Sequence, residues 1–272
     1  MKTVKISTTG MRRRTISVVL LFLLSVCLLS PTAPSSVPGD EDSGEINYLP
    51  LLEDRILELT NKNRKEAGLD ALKEENTLRY IAREHSRDMI KRKFFSHYDP
   101  DGLSPGERIA IRHRRLIGTS AENIWNGQGY DPSRTKMLSQ MIMDNWMQSA
   151  GHRENILKEE YTHLGVGVAV RGKLIMATQN FAKVAAYTND PVPGWVTRGE
   201  KLNLSATPVS EPVAAPVKVD FFSPKQDKQI GEAQKLPYVI ADIEPGVYHL
   251  RFYFPAQKGR YTLYTGPEIK VK

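Results

Sequence analysis

Cysteine is almost absent from this chain of 272 residues, and its only representative, Cys27, lies near the amino terminus. If the leader described below is removed, the remaining chain has no thiol, which excludes disulfide bonds and cysteine chemistry. An exported domain without disulfides takes its stability from an apolar core and from any metal ion that it binds. Apolar and aromatic residues make up 40% of the chain, which is enough for such a core.

A strong charge of one sign is also lacking, although the formal net charge is +7. The first 33 residues hold five basic residues and no acidic one, so that 33 basic residues face 31 acidic ones in the rest of the chain. A nearly neutral body has no electrostatic reason to bind nucleic acid, and we predict no nucleic-acid partner.

Several catalytic motifs are missing as well. The sequence contains no His-Glu-x-x-His, no Gly-x-Ser-x-Gly and no glycine-rich loop of the kind that holds phosphate. Ser96 precedes His97 directly, but adjacent side chains rarely point at each other. The sequence therefore assigns no catalytic residue, and whether the protein is an enzyme stays open at this point.

The amino terminus has the pattern of a secretory signal. A basic segment precedes the uncharged run at 15–30, which is shorter than a membrane-spanning helix prefers. We predict a signal peptide over 1–35 and a flexible linker over 36–45, with a secreted or cell-envelope location. An uncleaved anchor and lipidation at Cys27 are the alternatives, although Val26 is bulky for a lipidation motif. Only this segment is expected to contact a membrane.

The periodicity of apolar residues changes twice along the chain. Helical stripes run from Leu51 to the region of Trp146, with helix starts predicted at the capping box of Ser104 and Glu107 and at Asp131-Pro132. A hairpin of two apolar strands follows around Arg171-Gly172, and Gly165 and Gly167 on one face of its first strand predict a close approach of another element. This order predicts an α+β domain over 46–190. Short strand-like runs separated by Pro and Gly then predict a small all-β domain, sandwich- or barrel-like, over 195–272.

Three side chains with ligand chemistry stand where predicted elements end, which is where folds often place functional groups. They are His97, Glu122 and His152, and two imidazoles with one carboxylate suit Zn²⁺. The spacing of these three residues along the sequence does not by itself establish a metal site. His85 lies on the apolar stripe of a predicted helix, so we interpret it as a satisfied, buried packing residue.

Residues 51–182 resemble the CAP superfamily, which comprises cysteine-rich secretory proteins, antigen 5 and pathogenesis-related proteins (SCP-like), and the bacterial branch resembles them most. Together the motifs are specific and cover nearly half of the chain. The matching pieces are 56–59 with Asn61 and Arg64, 94–97 (FFSH), 121–124 (AENI), Trp146 with Ser149, 151–157 (GHRENIL) and 164–167 (LGVG).

The resemblance implies an α-β-α sandwich with a central cleft that can hold a divalent metal such as Zn²⁺. Many eukaryotic members carry a second glutamate after the equivalent of Trp146, whereas this chain has Met147-Gln148-Ser149 there, so that at most three metal ligands remain. The predicted metal ligands are His97, His152 and Glu122. The predicted cleft residues are His97, Glu122, His152 and Trp125. The predicted supporting residues are Ser96, Asn123, Arg153 and Asn155, of which Arg153 and Asn155 are expected to hold the loop of His152.

These observations predict an exported binding module whose cleft takes an unknown small molecule, a lipid or an envelope component. The alternative is a metal-dependent hydrolase acting on peptide or envelope polymer, with Glu122 as the base. The sequence indicates neither the ligand nor the oligomeric state.

Overall fold

The structure is a computed structural model that describes residues 35–36, 44–209 and 214–272. The predicted signal peptide up to residue 34, its two alternatives and most of the predicted linker lie outside these residues. Within the described residues, no helix has the length and apolar character needed to cross a membrane. The α-helices are α1 Pro50–Glu66, α2 Asn76–Lys91, α3 Pro105–Arg112, α4 Thr135–Gln148 and α5 Ala150–Leu157.

The remaining elements are strands, apart from a short 3₁₀ turn at Gln257–Gly259. The strands are β1 Ser35–Ser36, β2 Asn47–Tyr48, β3 Lys73–Glu74, β4 Phe94–Phe95, β5 Leu116–Gln128, β6 His163–Arg171, β7 Leu174–Thr188, β8 Trp195–Val196, β9 Lys201–Asn203, β10 Ala206–Pro208, β11 Lys218–Ser223, β12 Lys228–Lys235, β13 Tyr238–Ile240, β14 Gly246–Pro255 and β15 Tyr261–Val271.

One large sheet, mostly antiparallel, organises these elements. Its main path runs β12-β11-β14-β15-β5-β7-β6-β2, while β10, β3 and β8 pair with β7, β6 and β15 respectively. Two small sheets, β1 with β4 and β9 with β13, lie apart from this path. The α+β class predicted from the sequence is therefore confirmed.

Helices cover both faces of the β5-β7-β6 part of the sheet. Alternate residues of β6, such as Val166 and Val168, pack with α1, α4 and α5 in one hydrophobic cluster. On the other face α2 and α3 pack on the sheet in two smaller clusters. This alternation follows from the two-residue period of a strand, and it produces the layered α-β-α arrangement.

The predicted close approach at the glycines of β6 is confirmed. A Cβ atom on Gly165 would lie 2.1 Å from the amide nitrogen of Arg79, and one on Gly167 would lie 2.0 Å from that of Arg83. Both amides belong to α2, so this helix rests directly on the strand. The apolar stripe of α2 is buried by this contact, with His85 among its buried residues.

The observed helix starts and turns lie at their predicted positions or within a few residues of them. The predicted capping box of Ser104 and Glu107 is present at the start of α3. Helix α4 begins at Thr135 rather than near Asp131, because the Asp131 carboxylate accepts hydrogen bonds from the amide and hydroxyl of Ser133 and forms a turn. In the predicted hairpin, Arg171 pairs with Leu174, which moves the turn one residue further along the chain.

The strands after β8 continue the main sheet. Thr265 of β15 pairs with Gly118 of β5, and β10 pairs with the end of β7. Ile117 and Ala186 share a hydrophobic cluster with Leu250 and Phe252 of β14. The all-β character of this region agrees with the predicted fold class, whereas the division into separate domains over 46–190 and 195–272 stays a prediction.

Candidate functional site

The three predicted ligand residues come from three different elements. His97 follows β4, Glu122 lies in the middle of β5, and His152 lies in the first turn of α5 rather than after a helix end. Strand β5 pairs with β7 along its length but with β15 only at Gly118, so its other edge is open. Side chains from both helical layers can meet at this open edge.

His97 and Glu122 form a direct hydrogen bond. The distance from His97 Nδ1 to Glu122 Oε1 is 2.9 Å. A carboxylate oxygen accepts, so Nδ1 carries the proton, and in the neutral ring Nε2 then holds the lone pair. The carboxylate thus fixes the tautomer and the orientation of an imidazole that is about half exposed, at 45% of its side-chain surface.

Glu122 itself lies beneath this imidazole, with only 1% of its side chain exposed. Its second oxygen, Oε2, accepts a hydrogen bond of 2.7 Å from Nη2 of Arg108. The amide of Asn180 lies 3.3 Å from the same oxygen when its nitrogen faces the carboxylate. A buried carboxylate requires such partners, because removing its charge from water without them is costly.

Arg108 is a site residue that the sequence did not indicate. It belongs to α3, its side chain is 6% exposed, and its Nη1 donates to the carbonyls of His97 at 2.7 Å and Leu103 at 2.8 Å. One guanidinium thus connects the backbone of His97 with the carboxylate of Glu122. An arginine in a short helix carries no local signal of this role, since the contact to Glu122 spans 14 positions.

His85 also lies closer to the site than the sequence predicted. It is buried as expected, and its Nε2 lies 3.1 Å from the carbonyl of Ser96, to which it donates, and 3.8 Å from Glu122 Oε1. Burial lowers the pKa of His85 to about 4, so the ring is neutral near pH 7. The expectation of a satisfied ring is wrong for Nδ1, which is buried without a hydrogen-bond partner in the described part of the chain.

His152 is held by amide side chains. Asn123 donates to the carbonyl of His152 at 3.2 Å, and Asn155 donates to the Asn123 side chain at 2.9 Å. Burial, with a smaller contribution from the charge of His97, lowers the pKa of His152. Arg153 donates to the carbonyl of Met147 at 2.7 Å. The supporting roles of Arg153 and Asn155 stay predictions, and these are the contacts through which they would act.

A cavity of about 540 Å³ opens beside the two imidazoles, and we call it the histidine cavity. Trp125 donates from Nε1 to Asn145 Oδ1 at 3.0 Å, which orients its ring, and Trp146 is almost fully buried. Glu122 does not line the cavity. The lining residues are Phe95, Ser96, His97, Tyr98, Ile124, Trp125, Asn126, Asn145, Trp146, Ser149 and His152.

The placement of these groups does not fit a three-ligand metal site. Within the described ranges, no three His, Cys, Asp or Glu side chains are grouped so that they could hold a metal ion. Glu122 directs one oxygen to His97 and the other to Arg108, so each oxygen already accepts a hydrogen bond from a neighbouring side chain. Metal binding by His97, His152 and Glu122 stays a prediction that this arrangement does not support.

A larger cavity of about 1060 Å³ lies along α1 and α4, and none of the predicted site residues lines it. Its walls include Arg55, Leu59 and Met137. The candidate site is therefore defined by the convergence of ionisable side chains rather than by cavity size.

Residues 57–181 match the sequence model of the cysteine-rich secretory protein family, known as CAP. This segment contains β5, β6 and most of β7, together with all of the residues that surround Glu122 and line the histidine cavity. The family assignment applies to this segment, and the chain is also similar to bacterial proteins.

Among curated proteins, the chain is 34% identical over 146 residues to the uncharacterized protein YkwD of Bacillus subtilis, covering 53% of this chain. It spans about half, 48%, of the length of that relative. A solved extracellular protein of Bacillus anthracis that contains an SCP domain is 30% identical, with a TM-score of 0.41, and the match covers 48% of this chain and 40% of that one. NaASP2, solved with Zn²⁺, is 14% identical with a TM-score of 0.37, and the match covers 53% of this chain and 84% of that one.

Proposed function

We propose that this protein is an exported binding module whose histidine cavity takes a small molecule, a lipid or part of an envelope polymer. One observation carries the proposal. His97 and His152 line the same cavity with several aromatic rings, and the buried Glu122 holds His97 in one orientation. Apolar pockets with a few fixed polar groups are the usual form of a ligand site.

The lining indicates what kind of ligand would fit. Phe95, Tyr98 and Trp125 offer aromatic surface, which favours an apolar chain or the face of a ring. The free Nε2 of His97 and the side chain of Ser149 provide the polar contacts that would orient it. A volume of about 540 Å³ suits a ligand of small-molecule size or one unit of a polymer.

Export is supported by two findings, and we include it in the proposal. The sequence begins with the pattern of a secretory signal, and the similar Bacillus anthracis protein is extracellular. Attachment to the cell envelope would come from the amino-terminal segment if that segment stayed uncleaved or became lipidated. Mass spectrometry of the native amino terminus measures which of these occurs.

Ligand binding by the purified chain tests the proposal. The probes are N-acetylglucosamine oligomers, soluble cell-wall fragments and short fatty acids, and the compared proteins are the wild type and the His97→Ala/His152→Ala variant. We expect at least one probe to bind the wild type and to bind the variant at least tenfold more weakly. Trp195→Ala, which removes an exposed ring outside the cavity, is the matched control and should bind as the wild type does.

Equal binding to the double variant, with the fold unchanged by circular dichroism, would rule out the cavity as the site. The same mixtures also report on the hydrolase alternative. Turnover of a probe by the wild type and not by the double variant would replace the binding module with an enzyme.

A further inference from the structure

The carboxylate of Glu122 has a partner whose position bears on the chemistry of the whole site. Arg108 donates to Glu122 Oε2 from one terminal nitrogen and to the carbonyls of His97 and Leu103 from the other. Both charged side chains are more than nine-tenths buried, at 6% and 1% exposure. None of these three bonds is a surface contact that water would readily replace.

This ion pair changes what Glu122 can do. A carboxylate that ligates a metal ion must direct a lone pair to it, and the ion brings two positive charges. Here a guanidinium already compensates the negative charge, and a divalent cation at Glu122 would face that guanidinium across a buried site. The other oxygen, Oε1, accepts the proton of His97 Nδ1.

The metal-ligating side chains that line the cavity are therefore the two imidazoles. His97 presents Nε2 because Nδ1 is engaged, and His152 lines the same cavity. Carboxylates that hydrogen-bond a histidine in this way commonly fix its tautomer without contacting the bound species.

We propose that Arg108 is a positioning residue that reserves Glu122 as the orienting partner of His97 and keeps this carboxylate from ligating a metal ion. This inference rests on the proposed function of the same cavity. It adds an account of how the tautomer and the orientation of the His97 imidazole are fixed. It departs from the metal site implied by the family resemblance, because the placement of Arg108 and Glu122 contradicts a shared three-ligand role.

Zinc binding measured by titration calorimetry tests this role with Zn²⁺ alone as the probe. We expect weak binding to the wild type and at least tenfold tighter binding to Arg108→Met, which has a similar length and no charge. The gain should be lost in Arg108→Met/Glu122→Gln, because it depends on a freed carboxylate. Arg108→Lys retains the positive charge and should bind Zn²⁺ as weakly as the wild type.

No gain of zinc affinity in a folded Arg108→Met would overturn the proposal. If this variant does not fold, Glu122→Gln in the otherwise unchanged chain decides the question. We expect its zinc affinity to remain within threefold of the wild type, whereas a loss of tenfold or more would make Glu122 a metal ligand.

The tautomer of His97 provides a second measurement, which would not change if Arg108 only stabilised the fold. In ¹⁵N spectra of the wild type we expect the proton on Nδ1, and a redistribution toward Nε2 in Glu122→Gln and Arg108→Met. A wild-type ring with its proton on Nε2 would contradict the proposal. These measurements need no organic ligand, so the proposed function and this inference can fail separately.

Discussion

At the scale of single residues, the buried carboxylate of Glu122 holds the side chains of the site in place. Glu122 faces the layer of α2 and α3, on the same side of β5 as Ile124, while Trp125 packs with α1 and α4. Alternation along β5 therefore decides which groups surround the carboxylate. His85 and Arg108 come from that layer, so the carboxylate meets them inside the protein, and only His97 extends toward solvent.

Removing the carboxylate should destabilise the fold, because Arg108 would remain buried without its partner. We expect Glu122→Ala to lower the free energy of unfolding by about 3–5 kcal/mol, the usual cost of breaking a buried ion pair. Urea denaturation followed by circular dichroism measures this change. Asp242→Ala removes one partner of the exposed pair with Arg198 and should cost less than about 1 kcal/mol. Equal effects of the two variants would mean that the Glu122 pair contributes no more than a surface contact.

The buried imidazole of His85 should make stability depend on pH. Its folded pKa of about 4 is below the ordinary value of 6.5, so the unfolded chain takes up the proton first. The contribution is fully present above pH 6.5 and is lost as pH falls toward 4, to a total of about 3 kcal/mol. His85→Asn removes this group, and its free energy of unfolding should fall less steeply than that of the wild type over this range. Parallel curves from urea titrations between pH 4 and pH 7 would show that His85 is not the cause.

At the scale of elements, local signals predicted the structure well and long-range contacts were not predictable. The start of α3 followed from Ser104 and Glu107, because a capping box involves residues only three positions apart. The start of α4 was misplaced because the Asp131 side chain binds the turn instead of the helix. The family resemblance alone placed His97 and Glu122 in one site, and it did not predict the hydrogen bond between them. Arg108 was missed, because neither composition nor periodicity indicates which residues of different layers meet.

The contact of α2 with β6 leaves no room for side chains at the glycines of the strand. In Gly167→Ala the added Cβ would lie 2.0 Å from a backbone nitrogen of α2, so the helix must move away from the sheet. We expect the free energy of unfolding to fall by about 3 kcal/mol or more, at the upper end for overpacked sites.

Gly151→Ala is the matched control, because nothing lies within 4 Å of its added Cβ and it sits in helix α5. This control should be neutral or gain up to about 1 kcal/mol. Thermal melting of both variants compares them, and equal melting temperatures would contradict the close approach.

At the scale of the whole molecule, the strands after β8 share a sheet and a hydrophobic core with the family domain, by which we mean the part of the chain around residues 57–181. Backbone pairing joins β15 to β5 and β10 to β7. The hydrophobic cluster around Phe252 includes Ile117 of β5 and Ala186 of β7. Two regions that bury apolar surface against each other are expected to unfold together, because separating them would expose that surface to water. We therefore expect the predicted boundary between 190 and 195 to mark a change of composition within one cooperative structure.

Phe252→Ala tests this coupling, since the ring is fully buried in the shared cluster. Truncation of a buried phenylalanine costs about 3–5 kcal/mol. Native-state hydrogen exchange should show amides of β5 and β7 losing protection together with those of β11 and β14, because a common unfolding event exposes all of them. Val168→Ala, in the cluster of α1 and α4 on the family domain, is the reciprocal variant and should lower protection in β14 as well. Faster exchange confined to β11 and β14 in the first variant, and to β5–β7 in the second, would establish two independent domains and restore the boundary predicted from the sequence.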